Sequence, residues 1–455
     1  MKARGLILAA PASGSGKTLV TAGLLRHLRR RGLRVAAAKA GPDFIDPTFH
    51  AAASGGACVN LDPWAMRPHT LAARVAALEA AAEIVLCEGV MGLFDGTGAD
   101  GEAGSTAELA QRTGWPVVLV VDARGQGASV AALLRGFACH RPELPLAGVI
   151  FNRVASERHR ALLAGAAARH LPGLAMLGAL PADPALALPS RHLGLVPAGE
   201  IAAAGAVIDH AAAQIGLSFD IDRLLQLARP SLLGEADGGN APNLPLLGQR
   251  IAIAGDDAFR FVYSAVLDGW RRAGAELSFF SPLADEPPDP GAAAVYLPGG
   301  YPELWAGRLA GAERFLYGLR AAAAEAKPVY GECGGYMVLG EALIAADGRR
   351  HPMAGLLPLV TSFAERRLSL GYRGASLLAS GPLGAAGARF RGHEFHYATV
   401  VHEGAADRLW SAADAAGADL GRHGLRQGSV IGSFIHLIDR SDQAPNDSTR
   451  APSRP

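Results

Sequence analysis

The chain has 455 residues, half of them hydrophobic, which is enough for two or three domains with sizeable cores. Its net charge of +1 argues against a nucleic-acid-binding surface or a polybasic membrane surface. The four cysteines are scattered, with no C-x-x-C pair, which argues against a disulfide framework or a zinc site and fits a reducing cytoplasm.

The first half of the chain alternates apolar runs with helical segments. Residues 5–10 are predicted as a buried strand and 17–31 as a helix, and apolar runs follow at 34–40, 83–89, 116–122 and 146–152. This alternation is typical of a doubly wound parallel sheet, in which loops at the carboxyl ends of the strands bind ligands. The apolar start imitates a secretion signal, but it is short and runs directly into GSGKT. No uncharged apolar run approaches the length of a bilayer span, so no membrane partner is predicted.

The second half begins after a stretch rich in Pro, Gly and Asn. This stretch predicts a linker at 229–249, between a first domain at 1–228 and a second at 250–440. The second domain is predicted to be α/β as well, from strand-like runs at 250–256, 294–300, 328–335 and 429–437. Residues 441–455 have the composition of a disordered tail.

The segment APASGSGKT (10–18) follows the first predicted strand and opens the first helix, which is the context of a phosphate-binding loop. Backbone N–H groups from Gly14 through Ser15 and Gly16 are expected to surround phosphate oxygens of ATP. Lys17 is expected to reach the terminal phosphates, and Thr18 to hold Mg²⁺. The usual motif has Gly where this chain has Pro11, so a glycine-rich turn that only joins strand to helix is the alternative.

Acidic residues follow two of the predicted strands. Asp43 and Asp46 lie just past one strand, while Glu88 ends another and Asp95 follows it. We expect Thr18, Asp43 and Glu88 to be the Mg²⁺ ligands, and the aspartates to contact phosphate or substrate. Each acid has a simpler interpretation as a turn, cap or strand-end residue.

Three more polar residues end strands in this domain. Lys39 and Asp122 are expected to support the site from a second layer. Asn152 could contact an adenine edge, although a surface asparagine is the equal alternative.

Cys333 lies between a short apolar strand and the segment GGYMVLGEAL, which is predicted to be helical. This pattern predicts a sharp turn that presents a nucleophilic thiol, with glycines allowing the close contacts. The helix N-terminus is expected to favour the thiolate. The N–H groups of Gly334 and Gly300 are candidates for an oxyanion hole, and His436, at the end of a late strand, is the candidate base. A buried structural thiol is the alternative.

The segment GHEFHY contains His393, Glu394 and His396. Their spacing fits no dependable metal-site pattern, and packing or substrate contacts are the preferred interpretation.

Seven motifs occur in the order found in the cobyrinic acid a,c-diamide synthases: APASGSGKT, KAGPDFIDP, CEGVMGLFDG, LPGGYPEL, GECGGYMVLG, GHEFHYA and GSFIHL. The resemblance covers about residues 5–440 and is strongest to the members that act on hydrogenobyrinic acid. It implies an N-terminal P-loop synthase domain similar to dethiobiotin synthetase and a C-terminal class I-type glutamine amidotransferase domain. It also implies ATP-dependent amidation of two carboxylates with glutamine or ammonia.

The resemblance implies that Cys333 is the glutaminase nucleophile and that His436 activates it. It places Asp43, Asp46 and Glu88 at the ATP–Mg²⁺ and substrate site. Many amidotransferases of this class have a glutamate two residues after the histidine, where this chain has Ile438, so a Cys–His dyad is expected. The resemblance leaves a homodimer open.

Three alternatives remain at this stage. One is a family member that acts on the cobalt-containing corrinoid, because no residue pattern distinguishes it. A cobyric acid synthase is a second, although it lacks the PDFIDP acids in this form. The third is a partitioning-type ATPase switch with an inactive amidotransferase domain, but such switches carry a lysine where this chain has Ala12.

Overall fold

The computed structural model of the chain describes residues 3–188, 198–234 and 242–442. The chain forms two compact units, Met1–Trp64 with Pro68–Asp237 and Ala65–Arg67 with Gly238–Pro455. Most of the predicted tail (443–455) and part of the predicted linker (235–241) lie outside the described residues. The domain boundaries given above therefore remain predictions.

The first unit is an alternation of strands and helices. Its strands are β1 (Arg4–Ala9), β2 (Val35–Ala40), β3 (Cys58–Leu61), β4 (Ile84–Glu88), β5 (Val117–Asp122), β6 (Leu146–Val154) and β7 (Ala175–Pro181). Its helices are α1 (Lys17–Arg30), α2 (Asp46–Ser54), α3 (Pro68–Ala81), α4 (Thr106–Thr113), α5 (Val130–His140), α6 (Glu157–His170), α7 (Ala198–Ser218) and α8 (Ile221–Leu227), with a 3₁₀ turn at Pro184–Leu186.

These strands form one sheet in the order β3-β2-β4-β1-β5-β6-β7, and every pairing in it is parallel. The predicted doubly wound parallel sheet is confirmed. The sequence interpretation missed β3, which has only four residues, and β7, which contains a glycine and ends in a proline. The carboxyl ends of β1, β2 and β4 lie side by side, and this edge carries the phosphate-loop motif and the acids.

Helix α1 packs closely against α7 in this unit. A Cβ atom at Gly23 would lie 2.6 Å from Cδ1 of Ile215, so the two helices approach where α1 has no side chain. Leu24, Leu25 and Leu28 of α1 are fully buried in the same core. This packing holds the first turn of α1, and with it Lys17 and Thr18, against the sheet.

The second unit has a mixed sheet and a smaller one. Its strands are β8 (Arg250–Ala254), β9 (Glu276–Phe280), β10 (Ala294–Leu297), β11 (Val329–Glu332), β12 (Ala342–Ile344), β13 (Arg350–Pro352), β14 (Leu359–Ser362), β15 (Ser369–Leu377), β16 (Arg389–His396), β17 (Thr399–Glu403), β18 (Asp407–Ala413), β19 (Asp419–Gln427), β20 (Val430–Ser433) and β21 (Ile435–Arg440). Its helices are α9 (Ser264–Arg272), α10 (Ala306–Ala310), α11 (Glu313–Ala324) and α12 (Gly334–Leu339), with 3₁₀ turns at Pro282–Ala284 and Pro302–Trp305.

The large sheet has the order β21-β16-β15-β18-β19-β20-β11-β10-β8-β9, and a smaller one has the order β13-β12-β14-β17. From β20 through β11 to β9 the pairings are parallel, whereas from β20 through β19 to β21 they are antiparallel. The predicted α/β pattern accounts for the parallel half. The antiparallel half was not predicted, because its polar, glycine-rich strands lack an apolar run.

The predicted strand at 429–437 is wrong as a single element. It breaks at Phe434 into β20 and β21, which lie at opposite ends of the antiparallel half. Five strand spacings of a flat sheet would separate them by roughly 24 Å, yet one residue joins them, so the antiparallel strands must curl round. His436 is therefore near the start of β21 and not at the end of a strand.

The predicted helix after Cys333 is shorter than expected. Helix α12 ends at Leu339, and Ala342–Ile344 form β12. Gly340 follows the helix in an extended conformation and is tightly packed, since a Cβ atom there would lie 2.6 Å from the carbonyl oxygen of Leu359. Across the described parts of the chain, no helix is both long and apolar enough to cross a membrane.

Candidate active sites

The loop between β1 and α1 has the backbone of a phosphate-binding turn. Gly14 and Gly16 have positive φ angles of 78° and 93°, which glycine adopts without strain. A Cβ atom at Gly16 would lie 2.1 Å from Nδ2 of Asn152, so this position has no room for a side chain. The hydroxyl of Ser15 donates a hydrogen bond to the carbonyl oxygen of Ala12 at 2.8 Å, which closes the loop.

Asn152 and Arg153, at the end of β6, hold this loop from the side. The amide of Asn152 is buried and donates to the carbonyl oxygen of Ser15 at 2.9 Å, while its Oδ1 accepts from the backbone N–H of Arg153. Arg153 donates to the carbonyl oxygen of Gly14 and pairs with Asp122 at 2.6 Å. Asn152 thus shapes the loop, and its contact with adenine remains a prediction.

Lys17 is buried in the first turn of α1. Its Nζ donates to the carbonyl oxygen of Met91 at 2.5 Å, and Met91 has a positive φ of 43°. Burial lowers the pKa of Lys17, and the carboxylate of Glu88 acts against this shift. A lysine already oriented at the loop can add its charge to a phosphate group without a large rearrangement.

Glu88, the last residue of β4, is the centre of the acidic cluster. Its Oε1 accepts a hydrogen bond from the hydroxyl of Thr18 at 2.9 Å, and its Oε2 lies 2.5 Å from Nε2 of His50. Glu88 and His50 are both almost completely buried. No sequence motif singles out His50, although this residue lies one helical turn after Asp46 on α2.

Lys39 joins the predicted acids to one another. Its Nζ lies 2.7 Å from Oδ2 of Asp46, 3.3 Å from Oε1 of Glu88 and 3.9 Å from Oδ2 of Asp43. These carboxylates raise the pKa of Lys39 despite its burial. Lys39 was predicted to support the site from a second layer, but its position among three carboxylates is central.

The pKa values of Asp43 and Asp46 are shifted in opposite directions. Burial raises the pKa of Asp43 to about 7, and the nearby Asp46 adds to the shift. Although burial opposes ionisation, the ammonium group of Lys39 holds the pKa of Asp46 below its usual range. Asp43 also accepts a hydrogen bond from the backbone N–H of Ile45 at 2.8 Å, as a turn residue would.

The donor set for Mg²⁺ is met in part. The hydroxyl of Thr18 and the carboxylate of Glu88 are adjacent, and both are oxygen donors of the kind that Mg²⁺ prefers. Asp43 instead faces the ammonium group of Lys39 and the backbone of α2, so its assignment as a direct ligand remains a prediction. Among the described residues, no group of three or more His, Cys, Asp or Glu side chains is placed to hold a metal ion.

Asp95 shapes the loop that follows β4. Its Oδ2 accepts a hydrogen bond from the N–H of Gly92 at 2.8 Å, and a Cβ atom at Gly92 would lie 2.8 Å from the carbonyl oxygen of Pro11. Asp95 therefore holds this loop against the start of the phosphate loop. Its contact with phosphate or substrate remains a prediction.

A cavity of about 810 Å³ opens over these residues, within the range of small-molecule sites. The residues that line it include Lys17, Thr18, Lys39, Asp46 and Glu88. The carboxyl edge of the first sheet thus brings the predicted loop, Lys17, Asp46 and Glu88 to one cavity, whereas Asp43 and Asp95 do not line it.

In the second unit, Cys333 has the strained backbone of a nucleophile elbow. It lies between β11 and α12 with φ 47° and ψ −102°, a conformation that L-residues rarely adopt. A Cβ atom at Gly335 would lie 2.0 Å from the carbonyl oxygen of Leu297, and one at Gly331 would lie 2.8 Å from the backbone of Gly335. The glycines of GECGG are needed because the turn packs backbone against backbone.

The glycine turn after β10 and the start of β21 lie beside this elbow. A Cβ atom at Gly334 would lie 3.0 Å from the backbone nitrogen of Gly300, so the two candidate oxyanion donors are neighbours. A Cβ atom at Gly299 would lie 2.2 Å from Cε1 of His436. The N–H of Cys333 donates to the carbonyl oxygen of Ser433, three residues before His436, at 2.8 Å.

The expected bias towards thiolate is not found. Burial raises the pKa of the Cys333 thiol, and the carboxylate of Glu303 adds to this, whereas the N–H of Gly334 opposes it. Burial, with His393 and His396 nearby, lowers the pKa of His436 to about 3. The pair is therefore a neutral thiol and a neutral imidazole, and the imidazole can accept a proton.

The GHEFHY segment forms an ion-pair network on β16. Glu394 pairs with Nε of Arg373 at 2.7 Å and with Nε2 of His396 at 2.9 Å. The ring of His396 also stacks on Phe434, with centroids 3.9 Å apart. The carbonyl oxygen of Phe395 lies 3.8 Å from the Cys333 sulfur, so this strand forms one wall of the elbow.

Two acids near the elbow were missed by the sequence analysis. Glu303, in the 3₁₀ turn after Gly300, is close enough to Cys333 to raise the thiol pKa, and burial raises its own pKa to about 7. Glu332 immediately precedes Cys333 and is almost completely buried. Each of these acids lies inside a glycine motif, Glu303 in LPGGYPEL and Glu332 in GECGG, and this position was the only sequence signal for them.

Comparison with known families agrees with this division of the chain. Residues 6–196 match the CobQ/CobB/MinD/ParA nucleotide binding domain, and residues 250–444 match the CobB/CobQ-like glutamine amidotransferase domain. Together with the parallel sheet and the cysteine elbow, these matches define a glutamine amidotransferase that carries its own nucleotide-dependent synthase.

Full-length relatives define the family further. The chain is 55% identical over 444 residues to a hydrogenobyrinate a,c-diamide synthase of Rhizobium meliloti, covering 96% of this chain and 100% of the relative. It is 54% identical to the protein of the same name from Rhodobacter capsulatus, covering 96% and 98% of the two chains. The chain belongs to the hydrogenobyrinate a,c-diamide synthase family, and the resemblance found in its motifs is confirmed.

Proposed function

We propose that this protein amidates the a- and c-carboxylates of hydrogenobyrinic acid, with glutamine or ammonia as the nitrogen donor and ATP as the energy source, in cobalamin biosynthesis. The observation that carries the proposal is the presence of both sites in one chain. A cavity with a phosphate loop lies in the first unit, and a cysteine elbow lies in the second. The names of the relatives favour the metal-free corrinoid over the cobalt-containing one.

The first step is activation of a carboxylate. An oxygen of the substrate carboxylate attacks the γ-phosphorus of ATP, which forms an acyl phosphate and releases ADP. Lys17 and the loop N–H groups neutralise charge on the transferring phosphoryl group, which needs positioning more than covalent help. Ammonia then attacks the acyl carbon, the C–O bond to phosphate breaks, and the amide forms with loss of a proton. Two rounds give the diamide.

Mg²⁺ is the proposed cofactor of the first unit, held by Thr18 and Glu88. When bound, it would neutralise phosphate charge during phosphoryl transfer. His50 and Lys39 hold the Glu88 carboxylate in place from its other sides. Asp43 and Asp46 are proposed to lie beside the substrate, where Lys39 sets their charge.

Ammonia is proposed to come from glutamine at Cys333. The sulfur attacks the amide carbon of glutamine as His436 takes the thiol proton, and the oxyanion is stabilised by N–H groups of Gly334 and Gly300. His436 then returns the proton to the leaving ammonia, and water hydrolyses the thioester to glutamate. The free cysteines fit a cytoplasmic setting for this chemistry.

The test is an assay of purified protein with hydrogenobyrinic and cobyrinic acids, ATP, Mg²⁺ and either glutamine or ammonium chloride. We expect diamide formation from both nitrogen sources, with preference for the metal-free acid. The Cys333→Ser variant should lose glutamine-dependent activity and keep ammonia-dependent activity. Cys139→Ser, at an exposed cysteine of the first unit, is the matched control. Normal use of glutamine by Cys333→Ser would remove the nucleophile assignment.

A further inference from the structure

The carboxylate of Glu332 is held in the interior of the second unit by three hydrogen-bond donors. Its Oε1 accepts from the hydroxyl of Tyr330 at 2.6 Å and from the backbone N–H of Leu437 at 3.1 Å. Its Oε2 accepts from the hydroxyl of Tyr296 at 2.8 Å. An acid in the interior usually costs stability unless its oxygens are satisfied, and here the surrounding strands satisfy them.

Glu332 also faces His436. Nδ1 of the imidazole lies 3.9 Å from Oε2 of Glu332, and both side chains are almost completely buried. The bond from the N–H of Leu437 anchors the backbone of β21 at the residue next to His436. One carboxylate therefore connects β11, which ends just before Cys333, with the strand that carries the candidate base.

We propose that Glu332 is the positioning residue for His436, replacing the acid that many amidotransferases carry two residues after the histidine. This inference rests on the proposed glutaminase activity. The position two residues after His436 holds Ile438, which is buried and cannot supply a carboxylate. Glu332 supplies one from β11, so the third member of the site comes from the residue before the nucleophile.

The chemical consequence concerns the tautomer of His436. With its Nδ1–H directed at Glu332, the imidazole has its lone pair at Nε2, which can accept the thiol proton of Cys333. Once the proton has moved, the imidazolium and the Glu332 carboxylate attract each other in a buried site. A neutral acid or an amide at position 332 would lose most of this attraction.

Glu332 should therefore act in its ionised form. Burial raises its pKa to about 7, while the hydrogen bonds from Tyr330, the Leu437 N–H and Tyr296 limit the rise. Ionisation increases with pH, so glutaminase activity should increase as the pH rises through about 7. The titratable or charged groups that act on Glu332, His436 or Cys333 are Tyr296, Glu303, Tyr330, His393, Glu394 and His396.

The test compares Glu332→Gln with the intact enzyme in both glutamine- and ammonia-dependent synthesis. An amide at this position can donate to Nδ1 and so favour the tautomer that cannot accept the thiol proton. We expect glutamine-dependent kcat to fall by about 10²–10⁴-fold. Ammonia-dependent synthesis and the thermal unfolding temperature should remain close to those of the intact enzyme, and the rise of activity near pH 7 should disappear. An unchanged glutamine-dependent rate and pH profile would overturn the proposal.

The Tyr330→Phe variant tests the same idea without removing the acid. Loss of one hydrogen bond to the carboxylate should raise the pKa of Glu332, so the increase of activity should move to higher pH. If Glu332→Gln does not fold, this shift decides the question, and an unmoved profile in Tyr330→Phe counts against the proposal. Failure of the proposed function is a different result, because the unmodified enzyme would then show no glutaminase activity at any pH.

Discussion

The ammonium group of Lys39 lies 2.7 Å from the carboxylate of Asp46, and both groups are held at the carboxyl edge of the first sheet. The same ammonium group is within 4 Å of Glu88 and Asp43. It is the positive charge that allows three acids to remain close together. Although burial opposes ionisation, this opposite charge holds the pKa of Asp46 below its usual range.

Removal of this charge should destabilise the first unit. For Lys39→Met we expect the free energy of unfolding at pH 7.5 to fall by about 3–5 kcal/mol, as when one partner of a buried ion pair is lost. Urea unfolding followed by circular dichroism measures it. Arg31→Met removes an exposed partner of Asp222 in the same unit and should cost less than about 1 kcal/mol.

The loss of unfolding free energy in Lys39→Met should become smaller as the pH is lowered. Burial raises the pKa of Asp43 to about 7, so protonation of this carboxyl removes part of the negative charge that Lys39 neutralises. The difference in unfolding free energy from the unmodified protein should therefore narrow between pH 7.5 and pH 5. A deficit that is equal at both pH values would mean that Lys39 acts by packing alone.

Lys17→Ala should prevent amidation from either nitrogen source. Lys17 lies in the phosphate loop, and its loss affects phosphoryl transfer before ammonia enters the reaction. A reduction of at least about 10²-fold in ADP release with ammonium chloride is expected, comparable to the loss of one donor to a developing charge. Arg160→Ala, at an exposed ion pair on α6, is the control and should retain normal activity. Ammonia-dependent turnover in Lys17→Ala would remove the phosphate-site interpretation.

His436→Ala should affect glutamine hydrolysis alone. We expect a loss of about 10²–10⁴-fold in glutaminase rate, because the variant lacks the imidazole that accepts the thiol proton. The pH at which iodoacetamide labels Cys333 should also increase in the variant. His402→Ala replaces an exposed histidine on β17 and serves as the control. If neither the labelling nor the glutaminase rate changes, His436 is a packing residue.

Gly335→Ala tests the packing of the cysteine elbow. The added methyl group would lie 2.0 Å from the carbonyl oxygen of Leu297, so the elbow must move away from β10. We expect a loss of about 1–3 kcal/mol in stability, as for overpacked sites, together with loss of glutaminase activity. Gly374→Ala on β15, where nothing lies within 4 Å of the added atom, should be tolerated. Equal behaviour of the two variants would contradict this account of the motif.

Much of the candidate site could be predicted because its signals are local. A strand, a glycine turn and a helix N-terminus are contiguous in APASGSGKT, and the structure has β1, two left-handed glycines and α1 there. In GECGG the signal is also local, because its glycines predict a turn in which backbone packs against backbone. Parallel strands were predicted from apolar runs, so the edge at which Lys17, Asp46 and Glu88 meet followed from the topology of such sheets.

The antiparallel strands of the second unit were decided by tertiary structure alone. Their polar and glycine-rich sequences are stabilised by partners distant in the chain, and no local pattern reveals which strands pair. The antiparallel strands curl round, and this brings His436, two residues after the break at Phe434, next to the turn at Gly299. The contacts of His50 with Glu88 and of Glu332 with His436 also depend on tertiary structure, because each joins residues from two different elements. Sequence determines which side chains carry charge and where the backbone can turn, whereas burial and sheet order determine which of those charges face each other.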